Sequence, residues 1–377
     1  MKRTPVVLML ALLLFTLLLT SCQNNIHQGK TNLHSKRSTS QNNNLLKPLP
    51  NKEIVPLQLN VQQFHGVTGW LNNNEVLVIE NEGDGSSIYA YNIWTGSKQI
   101  IYTSKSPITS AKLNRSRTYL AIHTSNMFHE AAMTIFDLKT QKPLYSTKIE
   151  STEIDYTWNS YLNSELLISA FHEDWTFSMY VVNTDNQTMK KIDIPQPFAV
   201  WKSEEELIMI NWDTSSIATE SPLAIWKDGQ IEQALVGRNF YHINGWKDVI
   251  LTIRTDLKNN QKAYISFFNS SLQLIDEFQT PHLTAYSGWE VPFYDLVNNS
   301  EFFMVQPLES GLSDMYAGGF QLVKRNIKTG ESKILLNLND NLPISCSPEG
   351  NYCLTGYYFE NIITFNDKKI QPLIILE

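Results

Sequence analysis

A chain of 377 residues, 42% hydrophobic and 11% aromatic with a net charge of −7, has a globular composition and room for two average domains or one large β architecture. The acidic balance argues against a general nucleic-acid binder. Beyond the first twenty residues, no apolar run reaches membrane-spanning length.

In chain order, Lys2 and Arg3 precede an apolar run from Val6 to Leu19. That is too short to span a bilayer as a mature helix and fits a secretory signal. The run ends Leu19-Thr20-Ser21-Cys22, which resembles a bacterial lipobox. On that reading residues 1–21 are a signal peptide, and Cys22 becomes the new N-terminus with its thiol diacylated. At about 0.8 kcal/mol per buried CH₂, two acyl chains hold a soluble domain firmly at the extracytoplasmic face of a cell membrane. Residues 22–50 are Asn, Gln, Ser, Thr and Lys with almost no apolar content. They cannot bury enough surface to offset chain entropy and read as a disordered tether spanning about 30 Å r.m.s.. Residues 51–377 read as one domain. Its first apolar piece, "EIVPLQL" (53–59), is an extra edge strand or a ring-closing one.

From residue 61 a weak repeat sets in. Each unit has a short first strand, a polar turn, a very apolar second strand, a polar loop, and two more strands joined by a tight turn. The second strands are "EVLVIE", "YLAIHT", "ELLISAF", "ELIMINW", "DVILTIR", "EFFMVQ" and "YCLTGYY". The last two strands flank Thr-Gly, Asp-Asn and Asp-Gly, which are hairpin residues. Four first strands end in tryptophan, at Trp70, Trp158, Trp201 and Trp246, with Leu113, Leu296 and Cys346 at the matching positions. The recurrence assigns these tryptophans to packing between units. Four-stranded units at this even period predict an all-β fold, a β-propeller of four-stranded antiparallel blades. Seven units are counted between residues 61 and 377.

The lipobox, the Asn-rich tether and repeats such as "SPEGNYCLTGYYF" together resemble the YqgU-like propeller lipoproteins of Bacillus and its relatives. The resemblance implies a six-bladed propeller with no assigned activity, one blade fewer than the repeats count.

Cys346 and Cys353 lie in "SCSPEGNYC". If Pro348 to Asn351 make the turn, Cys346 faces Cys353 across an antiparallel pair, close enough to bridge. This favours a disulfide over two half-buried thiols in an exported protein. No further Cys or His lies near enough to complete a metal site, and no cofactor or metal is expected.

The catalytic signatures are near misses. "HEAAM" at His129 lacks the second histidine of a zincin, and there is no Gly-x-Ser-x-Gly elbow. "NEGDGSS" (81–87) is read as a solvated turn, not a calcium loop. Propeller geometry places the loops between second and third strands, with the blade links, on one face, and the other turns on the opposite face. The loop face is acidic and dotted with aromatics. The turn face is nearly neutral or basic, as in "NRSR", "KTQK" and "NDKK". Long loops on a rigid scaffold are where such folds carry function, and aromatics beside polar groups suit sugar or peptide docking. The candidate binding face is therefore Glu130, His172, Glu173, Asp174, Trp175, Trp212, Asp213 and Tyr316. The expected function is that of a lipid-anchored, monomeric binding or scaffold module for an envelope protein, a peptide or a wall glycan. The alternative is a hydrolase or lyase on cell-wall sugars or peptides, with carboxylates gathered at the central channel.

Overall fold

The second strands explain the architecture. Val76, Leu77, Val78 and Ile79 run without a polar break and are all buried. A strand reads this way only when it is covered on both faces. Val76 and Val78 pack toward one neighbouring sheet and Leu77 and Ile79 toward the other, as the two-residue period of a strand requires.

The computed structural model describes residues 53–377 except 128–129, 214, 216–217, 257–261 and 286–287. The proposed signal peptide, Cys22 and the tether lie outside the described residues, as does His129.

The described residues form seven four-stranded antiparallel sheets, each with its strands in sequence order. They span residues 64–104, 108–150, 153–192, 199–234, 242–281, 294–338 and 344–372, here blades 1 to 7. The seven repeats are thus seven sheets. The second strands of blades 4 and 7, Leu207–Ile210 and Tyr352–Thr355, stop short of their apolar runs. In blade 7 the stop falls at Gly356, whose φ of +103° takes the chain out of strand geometry.

Seven apolar clusters fill the seven interfaces, including the one between blades 7 and 1, so the ring is closed. Each fully buried Leu, Ile, Val or Phe in them stabilises the fold by about 1.5–3 kcal/mol. Three of the repeated tryptophans are buried. Trp70 Nε1 donates to Ser345 O at 2.9 Å and Trp158 Nε1 to Lys112 O at 2.9 Å. Each tryptophan thereby ties its first strand to the same position of the preceding blade. Blades 4 and 5 approach closely where a Cβ on Gly245 would meet Val200 and the Trp201 carbonyl at 3.1–3.2 Å.

Closure has a second device. Leu57–Leu59 pairs in parallel with Ile374–Leu376, in the register Leu57↔Ile374. Val55 N donates to Ile93 O at 2.9 Å, and Tyr91 Oη donates to Val55 O at 2.5 Å. The apolar segment 53–59 is therefore the clasp that joins the two ends of the ring. Cys346 and Cys353 stand directly opposite each other in blade 7 and are joined by a disulfide.

Two long loops do not lie free. Leu283–Ala285, Gly288–Trp289 and Gly311–Leu312 form a small separate sheet on the loop face. It is braced by His282 stacking on Trp289, with centroids 4.6 Å apart.

Candidate functional site

The first strand of each blade faces the axis of the ring. Alternation along these strands sends one residue in two toward the centre. Counting back one place from the tryptophan position gives Gly69, Lys112, Thr157, Val200, Gly245, Asp295 and Ser345. All but Gly245 line a central cavity of about 920 Å³.

The inner end of this channel lies on the turn face and is cationic. Arg115 and Arg117 follow the first strand of blade 2, Ile108–Leu113, in the turn "NRSR". Both line the cavity. Arg115 Nη2 donates across the channel to Asn299 Oδ1 of blade 6. Arg117 Nε donates to Trp70 O at 3.0 Å, and its Nη1 makes a long contact with Arg115 O at 3.5 Å. Each guanidinium carries five N–H donors, and most of them have no acceptor among the described residues. Neither guanidinium forms an ion pair among the described residues. Burial pushes both below the usual arginine range. Their mutual repulsion adds to this for Arg115, while Asp248 and Asp295 pull it up; Asp295 also pulls up Arg117.

Asp295, beside them in the wall, accepts from Cys346 N at 2.7 Å and from Leu296 N at 2.8 Å. Burial raises its carboxyl above the usual range, against the pull of these two amides and of the arginines. The other lining carboxylate, Asp155, pairs with Lys112 Nζ at 2.9 Å, and Lys112 also donates to Tyr156 O at 2.9 Å. His242 Nε2 lies 2.5 Å from Tyr294 Oη, which accepts from Asn244 Nδ2 at 3.0 Å. Burial pushes this imidazole down to about 4, so it is neutral, and it shares a hydrogen bond with the tyrosine hydroxyl. The carboxylates and the imidazole of the channel are thus each committed to partners in the wall. No group of three or more His, Cys, Asp or Glu able to hold a metal occurs among the described residues.

The outer mouth is aromatic. Phe198 precedes the first strand of blade 4, Ala199–Trp201, and Trp212 follows its second strand. Both therefore sit on the loop face, and both line the cavity. Phe198 is 64% exposed and packs against Phe171 at 5.7 Å. Its segment is held by Ser169 Oγ, which donates to Pro197 O at 2.5 Å, and by Gln196 Nε2, which donates to Trp212 O at 2.9 Å.

Of the face proposed from sequence, Trp212 alone lines the cavity. Trp175 is 95% exposed at the tip of the blade 3 loop, with φ of +64°. Asp174 Oδ1 accepts from Thr176 N and Oγ1, and Asp213 Oδ1 accepts from Ser215 N and Oγ. These bonds hold both carboxyls below the usual range. His172 Nε2 lies 3.1 Å from Ser178 Oγ, and Glu173 is exposed. Glu130 pairs with Lys148 at 2.7 Å. The Tyr316 hydroxyl donates to Gly319 O and accepts from Leu308 N and Glu309 N, so it staples its own loop. Sequence reasoning did not single out Phe198, Arg115, Arg117 or Asp295. The signal available for the last was its place one residue before the repeated tryptophan position.

Residues 92–356 match the family model described as a YqgU-like 6-bladed beta propeller domain. That span begins within blade 1 and ends within blade 7, so it holds five complete sheets of the seven. The chain is 22% identical, over 100% of its length and 98% of the relative, to a protein of Bacillus subtilis (strain 168) called uncharacterized lipoprotein YqgU. It is also similar to the crystal structure of an uncharacterized protein of Listeria monocytogenes EGD-e. There the TM-score is 0.79 and the identity 21%, covering 86% of this chain and 98% of that one. A β-propeller domain of the Trilobed protease from Pyrococcus furiosus, whose topology is called open velcro, matches with a TM-score of 0.53 at 13% identity. It covers 85% of this chain and 97% of that one. These structural likenesses speak for the fold.

Proposed function

The chain belongs to the YqgU-like β-propeller family, and we propose that it is an extracytoplasmic binding module, anchored to the membrane through lipidated Cys22. Its ligand is an envelope protein, a peptide or a wall glycan, seated at the loop-face mouth of the central channel. The observation that carries this reading is a cavity of about 920 Å³ rimmed by Phe198 and Trp212. Aromatic faces beside polar wall groups suit a sugar or peptide segment.

A hydrolase or lyase would need two converging carboxylates, or a carboxylate and a histidine, free for chemistry. Asp155, Asp295 and His242 are already engaged in the wall.

The test is capture from detergent-solubilised envelope with residues 53–377 as bait, beside a folded Phe198→Ala/Trp212→Ala form. Capture by the first and loss with the second is expected. Equal capture by both, or none by either, would refute a ligand at this mouth.

A further inference from the structure

The arginine pair at the turn-face end of the channel forms no ion pair among the described residues, although the charge of Asp295 reaches both guanidiniums and that of Asp248 reaches Arg115. Arg115 and Arg117 are half-buried, and guanidiniums drawn away from bulk water are ordinarily matched to carboxylates, because an unmatched charge costs more as burial deepens. Arg325, elsewhere in the same ring, shows the matched case, with both oxygens of Asp276 in a bidentate pair. Arg115 and Arg117 instead reach a side-chain amide and backbone carbonyls. Asp295, whose charge reaches both, accepts from two backbone amides and forms no ion pair with either guanidinium among the described residues. Lys112, the third cation of the lining, is tied to Asp155. The result is a channel whose turn-face end is lined by two forked cations, with donors that no described residue engages.

From this we infer that the inner end of the channel is a site for an oxyanion group, a carboxylate or a phosphate, carried by a small molecule or by the end of an envelope polymer. Guanidinium forks match both groups bidentately. An anion between Arg115 and Arg117 relieves their mutual repulsion and fills donors that no described residue engages. The aromatic mouth and the cationic end lie in one cavity, so the ligand class is a polar chain with an anionic terminus, docked by its body on Phe198 and Trp212. This deepens, and rests on, the reading of the channel as the ligand site.

The experiment uses the purified full chain. Phenylglyoxal modification of each arginine is followed by mass spectrometry in inorganic phosphate, in D-glucuronate, in D-glucose, and in sodium chloride of matched ionic strength. Phosphate, glucuronate or both should slow modification of Arg115 and Arg117 about fivefold or more. Glucose should not, and Arg238 and Arg325 should react alike throughout. Protection by phosphate alone identifies a phosphorylated ligand, and by glucuronate alone a carboxylated one.

The same anion should raise the melting temperature saturably. That shift should be lost in Arg115→Gln/Arg117→Gln and kept in Lys139→Gln/Lys369→Gln, which removes equal charge from exposed positions. Loss of the pair should weaken apparent anion affinity about tenfold or more. Equal modification in all four solutions, or a thermal shift that survives removal of both arginines, overturns the site. If envelope capture still depends on Phe198 and Trp212 in that case, the anion site alone has failed and the binding module stands.

Discussion

The ion pair between blades 5 and 6 tests how neighbouring blades hold together. Asp276 lies in the fourth strand of blade 5, Leu274–Pro281, and Arg325 in the third strand of blade 6, Phe320–Asn326. Nε and Oδ2 are 2.5 Å apart and Nη2 and Oδ1 are 2.8 Å apart. The side chains are only 14% and 11% exposed, and the guanidinium sits 4.6 Å from the Phe278 ring centroid. Arg325→Met would strand a buried carboxylate, at a cost of about 3–5 kcal/mol. A domain of this size unfolds with an entropy of about 0.7 kcal/mol/K, so the melting temperature should fall by about 4–7 °C. Arg325→Met/Asp276→Leu should recover most of that loss, since apolar groups of similar volume replace a buried pair at little net cost. Urea unfolding at pH 7 of the four proteins of the cycle gives the coupling, which should exceed about 2 kcal/mol. A single-variant loss below about 1 kcal/mol with no coupling would mean that the pair behaves as a solvated surface contact, and the reasoning from burial would be wrong.

His123, in the second strand of blade 2, is 7% exposed, and burial pushes it down to about 4. The unfolded chain takes up that proton near 6.5, so stability is full above 6.5 and declines as pH falls toward 4. The decline is on the order of 3 kcal/mol. His242 shares this shift, so His123→Gln should remove about half of the histidine slope between urea midpoints taken at pH 7 and pH 4.5, and an unchanged slope would assign the acid sensitivity elsewhere. Thiol titration of residues 53–377, unfolded without reductant, should find no free thiol; two would mean that Cys346 and Cys353 are not bonded in the protein. Cys22→Ala should move the protein from the membrane to the soluble fraction, and retention of tight membrane association would remove the lipid anchor from the proposal.

The blades were legible in the sequence because their physics is local. A second strand buried on both faces must be apolar at every position, as Leu166 to Ala170 are apart from Ser169, and a hairpin must carry turn residues. The "SPEGN" turn also sets Cys346 opposite Cys353 by counting alone. The clasp was half legible: "EIVPLQL" reads as a strand, but its partner lies more than 300 residues away, at the other end of the ring.

The channel was not legible, for a geometric reason. Each blade gives the axis only one short strand, so the lining is assembled from single residues about a blade apart in the sequence. Strand alternation can say that Lys112 or Asp295 points inward. It cannot say that Arg115, in a short basic turn, crosses the axis to meet Asn299, 184 residues on. Nor can it show that Phe198 and Trp212 share a rim while the equally aromatic Trp175 stands apart from the cavity. Those placements depend on how seven sheets pack into a closed ring, which no local stretch of the chain encodes.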